Sequence, residues 1–185
     1  MYAMTADIEK AQQVAERVRG EYNPDNISPF PYQSIVSKVE ELKIYFSDLS
    51  ENSISGAITY NQEKKIFTII IDSSKPSTRQ HFTLAHELGH YFLHKDDLSS
   101  SSGEWYIDSE SNLDGGRTFF RQDNPLEKSE REKEANNFAA CLIMPVDLVV
   151  DAWEKLHSIE ECAKIFNVSL LAMAIRLEKL GLIKE

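Results

Sequence analysis

RQHFTLAHELGHYFLH, residues 79 to 94, contains the motif His86-Glu87-Leu88-Gly89-His90. Residues four apart on a helix sit one above the other, so His86 and His90 project from one face. Two neutral imidazoles held this way can grip one zinc ion. Glu87 follows His86 by about 100° of helical rotation. Its carboxylate then lies beside the ion without binding it, where a general base for a water belongs. Zinc lowers the pKa of such a water to about 7, and Glu87 would take its proton as it attacks a carbonyl.

The flanks support a helix here. Nothing after Pro76 breaks it, and Ser77 or Thr78 can cap its start. Phe82, Ala85, Leu88, Gly89 and Phe92 recur at helical spacing, which predicts a buried helix. Two histidines and a carboxylate on a buried helix are costly unless paired or metal-bound. That weighs against a chance match on a surface helix.

Upstream, three strands are expected. Leu42, Ile44 and Phe46 alternate with polar or exposed-type neighbours, as do Ile54, Gly56, Ile58 and Tyr60. Ile66 to Ile71 is a continuous apolar run, which fits a strand covered on both faces. The connections Asp48–Ser53 and Asn61–Lys64 are short, so an antiparallel meander is the economical arrangement. Two helices should precede it. One spans about 5–20, with Ile8, Ala11, Ala15 and Val18 on one side and Gly20 as its stop. After the connector EYNPDNISPFP, a short one runs from Pro31 to about Glu41, with Tyr32, Ile35, Val36 and Val39 inward.

Downstream, periodicity vanishes from Lys95 to Asn124, a stretch with four consecutive serines and a Gly-Gly pair. A surface loop is the plain reading. A lid over residues 96–125 is the functional one, since long loops beside sites often serve that way. Trp105, Tyr106, Phe119 and Phe120 favour some ordered packing. Helical pattern returns over 126–143, stops at Pro145, and resumes over 146–156. Two further helices fill Ser158 to Glu185, the second capped by Ser169 and ended by Gly181.

A catalytic zinc takes three protein ligands and keeps one open position. An extended pattern with glycine at position 93 and histidine at position 96 fails, because Leu93 and Asp96 stand there. His94 falls roughly 6 Å beyond His90 along a straight helix, and reads as a packing or substrate-side residue. The better source is the next helix, where Glu127, Glu130, Glu132 and Glu134 compete. Glu132 shares its stripe with Ala135, Asn136, Ala139 and Ile143, mostly small residues that let a second helix come close. Glu134 shares a bulkier stripe with Phe138 and Cys141 and stands second. Asn136 is placed to hydrogen-bond a ligating histidine.

The bulk numbers set bounds. The chain has 185 residues, 42% hydrophobic and 27% charged, as suits one domain with a sizeable core. A net charge of −10 argues against direct nucleic-acid binding, which needs a basic face. Cys141 and Cys162 sit in apolar helical pattern and read as small core residues of a reducing compartment. Met1 to Gly20 has no apolar signal region, and no run reaches the roughly 18 residues of a membrane span. A cytoplasmic location is expected; the oligomeric state is open.

These residues resemble a known family. Arg79-Gln80-x-Phe82-Thr83-Leu84-Ala85-His86-Glu87-Leu88-Gly89-His90-Tyr91-x-Leu93-His94, followed by Glu132-x-Glu134-Ala135-Asn136-x-Phe138-Ala139-Ala140-x-Leu142-Ile143-Met144-Pro145, is similar to the ImmA/IrrE family of zinc metallopeptidases. The likeness covers about residues 25–180. It implies Glu132, four before the asparagine, as third ligand, a gluzincin-like set. It also implies cleavage of a repressor of the helix-turn-helix type. The first 25 residues are too short for such a domain, so the repressor is expected as a separate polypeptide.

The tail resembles the helix-turn-helix-like end of such proteins, but it makes a poor DNA reader. Over 158–185, Lys164, Arg176, Lys179 and Lys184 balance Glu160, Glu161, Glu178 and Glu185. The helix LLAMAIRLEKL is apolar nearly all round and reads as buried, for packing or protein docking.

The expected fold is α+β. A small antiparallel sheet packs on the zincin helix, and a helical C-terminal part ends in the helix-turn-helix-like segment. The divisions are an N-terminal helix (1–25), a metallopeptidase domain (26–145) and a helical subdomain (146–185). The expected activity is a zinc endopeptidase with His86, His90 and Glu132 on the metal and Glu87 as base. Manganese also suits such a donor set. Tyr91, His94 or the 96–124 loop would stabilise the oxyanion. The alternative is a non-proteolytic zinc-binding regulator, or a toxin–antitoxin component, acting by protein contact.

Overall fold

The computed structural model describes residues 6–52, 54–100, 103–109 and 125–184. Strand β3 (Ile66–Asp72), the most apolar strand, lies inside a four-stranded sheet of order β1-β3-β2-β4. On one side is β1 (Leu42–Ser47), parallel, with Leu42 opposite Phe67 and Ile44 opposite Ile69. On the other is β2 (Ile54–Asn61), antiparallel, with Ile58 opposite Ile69. At the far edge β4 (Trp105–Ser109) pairs antiparallel with β2.

The α+β class therefore holds, but the meander does not. The sheet is mixed, because β3 inserts between β1 and β2. A meander would leave β1 without β3, and the Phe67–Ile71 run with one unpaired ladder. Insertion pairs both of its edges. One face of β3 is covered: Phe67, Ile69 and Ile71 are buried, while Ile66, Thr68 and Ile70 are half-buried. On β1 the inward alternation fails at its end, since Tyr45 and Phe46 are both exposed.

Helix α1 (Ile8–Tyr22) starts at Asp7, whose carboxylate accepts from the Lys10 amide. It buries Ala11, Ala15, Val18 and Tyr22. Gly20 does not stop it, because the last turn continues to bury Tyr22 and closes on the Asn23 amide. Helix α2 (Gln33–Lys38) is shorter than expected and buries Ile35, leaving Val36 exposed.

Helix α3 (Ser77–Ser100) carries the motif and packs on β2 and β3. It kinks at His94 (φ −122, ψ 23) and continues, burying Leu98. Lys95–Ser100, expected as loop, is thus helical, and Trp105–Ser109 is strand. The rest of the expected lid, with Phe119 and Phe120, lies outside the described residues.

Helix α4 (Pro125–Ile143) packs against α3 on one side and α1 on the other. Its last carbonyls are held by two buried arginines. Arg19 Nη1 donates to Leu142 O at 2.9 Å and Arg176 Nε to Met144 O at 2.9 Å. Three helices follow: α5 (Val146–Leu156), α6 (Ile159–Phe166) and α7 (Leu170–Lys179). Ser169 caps α7, accepting from the Ala172 amide. Gly181, at φ 70, ends it in a left-handed turn where Leu182 N donates to Leu177 O.

The expectation that α7 is buried all round is corrected. Met173, Arg176 and Leu177 are inside, whereas Leu170, Leu171 and Ile175 face out. Among the described residues no single helix is long and apolar enough to cross a membrane.

Candidate metal centre

The site is built where α3 crosses α4. Gly89 sits at the crossing, and a Cβ added there would lie 3.0 Å from Ala135 Cα. The bare backbone lets the two helices approach, as the small-residue stripe on α4 suggests. The approach brings Glu132 to the face that His86 and His90 share.

His90 Nε2 lies 3.0 Å from His86 Nε2. Glu132 Oε2 is 3.3 Å from His86 Nε2, and Glu132 Oε1 is 3.5 Å from His90 Nε2. A tetrahedral ion with bonds of about 2.0–2.1 Å holds its ligand atoms about 3.3–3.4 Å apart. The three side chains fit that figure, and they form a group that could hold a metal ion. Both histidines are buried, and Glu132 is half-buried with access to solvent.

The chemistry of the set agrees. His86 Nδ1 lies 3.0 Å from Asn136 Oδ1. Donating there, the neutral ring presents a lone pair from Nε2. Glu132 adds a carboxylate oxygen to the two ring nitrogens, completing a His-His-Glu donor set of the kind zinc takes.

Glu134, the second candidate, does not join this group. Its Oε2 lies 2.8 Å from His94 Nε2. His94 Nδ1 in turn lies 3.1 Å from His90 Nδ1. Burial first, and the adjacent His90 next, push the His94 pKa down to about 4, against the pull of Glu134. His94 lies outside the group formed by His86, His90 and Glu132. It stands behind His90, at the residue where the helix kinks.

Glu87 is buried on the sheet side of α3. Gly56 of β2 makes room for it: a Cβ there would lie 3.1 Å from Glu87 Oε1 and 2.5 Å from Thr83 Cγ2. Tyr91, weighed for the oxyanion, points elsewhere. Its hydroxyl donates to Glu41 Oε1 at 2.6 Å, and burial together with Glu41 pushes its pKa up. Asp96 is exposed past the kink and takes no part in the metal group.

Sequence reasoning missed two features: the His90–His94–Glu134 chain and the Gly56 recess. The first has a sequence signal, a third histidine four residues past His90. The second depends on which strand faces α3 and has none.

A family model for Peptidase_M78, the IrrE N-terminal-like domain, matches residues 38–178. No curated protein matches the chain. A solved structure of a Mycobacterium tuberculosis transcriptional regulator superposes with a TM-score of 0.61 at 16% identity. The alignment covers 92% of this chain and 46% of that one, so the present chain spans less than half of that protein. At this identity the likeness is one of fold.

Proposed function

Because the chain belongs to the IrrE N-terminal-like peptidase family, we propose that it is a zinc-dependent endopeptidase. Its substrate on this reading is one specific protein, a transcriptional repressor of the helix-turn-helix type. The observation that carries the peptidase reading is the convergence of His86, His90 and Glu132 at separations suited to a tetrahedral ion. Three protein donors leave the fourth position for water or substrate, as in catalytic sites.

Zinc supplies Lewis acidity, which polarises a carbonyl and makes water a nucleophile at neutral pH. The remaining steps belong to the protein. Glu87 takes the proton of the attacking water and returns it to the departing amine. Its burial between α3 and β2 fixes its position and keeps bulk water from competing. Asn136 holds the His86 ring in the tautomer that offers Nε2. The repressor as substrate is supported by the family resemblance. A cytoplasmic location accords with two free, buried cysteines.

The test joins metal analysis to cleavage. Purified protein should hold one zinc per chain, Glu132→Ala should lose it, and Glu87→Gln should keep it. In cells co-expressing a helix-turn-helix repressor substrate, Glu87→Gln should leave the repressor intact. Cleavage by that variant at the wild-type rate would sink the mechanism. Wild type that takes up no zinc would sink the metallopeptidase itself.

A further inference from the structure

Glu134 lies outside the metal group, yet it is tied to that group by an unbroken chain of hydrogen bonds. Its Oε1 accepts from the Asp7 amide at 2.7 Å, and its Oε2 faces His94 Nε2 at 2.8 Å. His94 Nδ1 faces His90 Nδ1 at 3.1 Å, and His90 Nε2 faces the ligand cluster. The direction of these bonds follows from one end. An ionised carboxylate only accepts, so His94 must donate from Nε2. A neutral His94 then offers Nδ1 as an acceptor. His90 must therefore donate from Nδ1, which leaves its Nε2 as a lone pair aimed at His86 and Glu132.

We propose that His94 and Glu134 are positioning residues that set the tautomer and ring orientation of His90, so that its Nε2 is presented as a metal ligand. This rests on the metal-site reading above. It also separates the roles of Glu132 and Glu134 on α4. Glu132 faces the ligand atoms, while Glu134 holds the residue behind one of them. The backbone of α1 completes the arrangement, because the Asp7 amide fixes the second oxygen of Glu134. His86 has the simpler version, with a single amide oxygen from Asn136 behind it. Partners of this kind, behind a ligand, commonly change metal affinity about 10- to 100-fold when removed.

The experiment compares wild type, His94→Phe, Glu134→Ala and Glu134→Gln. Zinc affinity is measured by chelator competition. The His90 tautomer is read by long-range nitrogen–proton NMR in metal-free protein. His94→Phe and Glu134→Ala should weaken zinc binding about 10- to 100-fold. Glu134→Gln keeps an oxygen that can accept from His94, so its affinity should fall between wild type and Glu134→Ala. Metal-free wild type should carry the His90 proton on Nδ1, and His94→Phe should shift it toward Nε2. A purely structural role for His94 would lower the urea midpoint without moving that proton.

The proposal is overturned if wild-type His90 is protonated on Nε2, or if His94→Phe leaves both tautomer and affinity unchanged. Should wild type bind no zinc, the peptidase reading fails by itself. The tautomer, which needs no metal, then still decides for or against the relay.

Discussion

Gly89 of α3 meets the backbone of Ala135 of α4, and a Cβ on Gly89 would stand 3.0 Å from Ala135 Cα and 3.1 Å from its carbonyl oxygen. Neither neighbour is the far end of a flexible side chain, so the helices themselves must give. Gly89→Ala should therefore destabilise the fold by about 1–3 kcal/mol through overpacking. It should also move Glu132 away from the histidines and lower zinc affinity. Urea unfolding and chelator titration check the two effects. Wild-type affinity in a destabilised Gly89→Ala would mean that the crossing does not set the site.

Gly20 provides the contrast. It lies exposed within α1, and nothing stands within 4 Å of a Cβ added there. Alanine restricts the unfolded chain and favours the helix, so Gly20→Ala should stabilise by about 0.5–1 kcal/mol. A lower urea midpoint would contradict this account of α1.

Much of this arrangement was legible in the chain because it is local. The i, i+4 histidines, the stripe around Leu88 and the small residues Ala135 and Ala139 on the stripe of Glu132 each lie within one helix, and each predicts which face is buried. The order of strands was not legible. The run from Ile66 to Ile71 says that β3 is a strand, but not which strands flank it. Strand β4 was hidden because Trp105, Tyr106 and Ile107 form a short run inside a polar stretch. The helical end Lys95–Ser100 was hidden for a similar reason, since Leu98 is its single fully buried apolar anchor among polar neighbours. The His94–Glu134 contact depends on how two helices cross, and no spacing within either helix encodes that.

Arg19 and Arg176 illustrate the same limit. As sequence they count as surface charge; in the fold both are buried at the end of α4. Arg19 also donates from Nε to Asn26 Oδ1 at 3.1 Å and stacks its guanidinium over Phe30. Arg19→Met keeps much of the stem but leaves Leu142 O without this donor. The expected cost is about 1–3 kcal/mol, the penalty for a buried acceptor left unsatisfied. Arg19→Lys should recover part of it, since a single ammonium cannot serve Leu142, Asn26 and Ile27 together. Equal stability of Arg19→Met and wild type in urea would show that this end of α4 has another source of support.

His81, five residues before the first motif histidine, should make the fold sensitive to mild acid. Its ring packs edge-on against Tyr32 with centroids 5.0 Å apart, and its Nε2 is buried without a hydrogen-bond partner. Burial lowers its pKa from 6.5 to about 4. The folded state thus prefers the neutral ring. At neutral pH neither state carries the proton and nothing is lost. As pH falls from 6.5 towards 4, the unfolded chain takes up a proton that the folded one refuses, so stability falls with it. Below 4 both states are protonated and the loss levels off at about 3 kcal/mol. His81→Phe preserves a ring against Tyr32 and removes the titrating group. Urea midpoints measured from pH 7 to pH 4 in both proteins isolate the effect, because the other histidines contribute equally to each. The variant should lose about one proton's worth of slope across that window. Parallel pH profiles would mean that His81 is protonated in the folded state as readily as in the unfolded one.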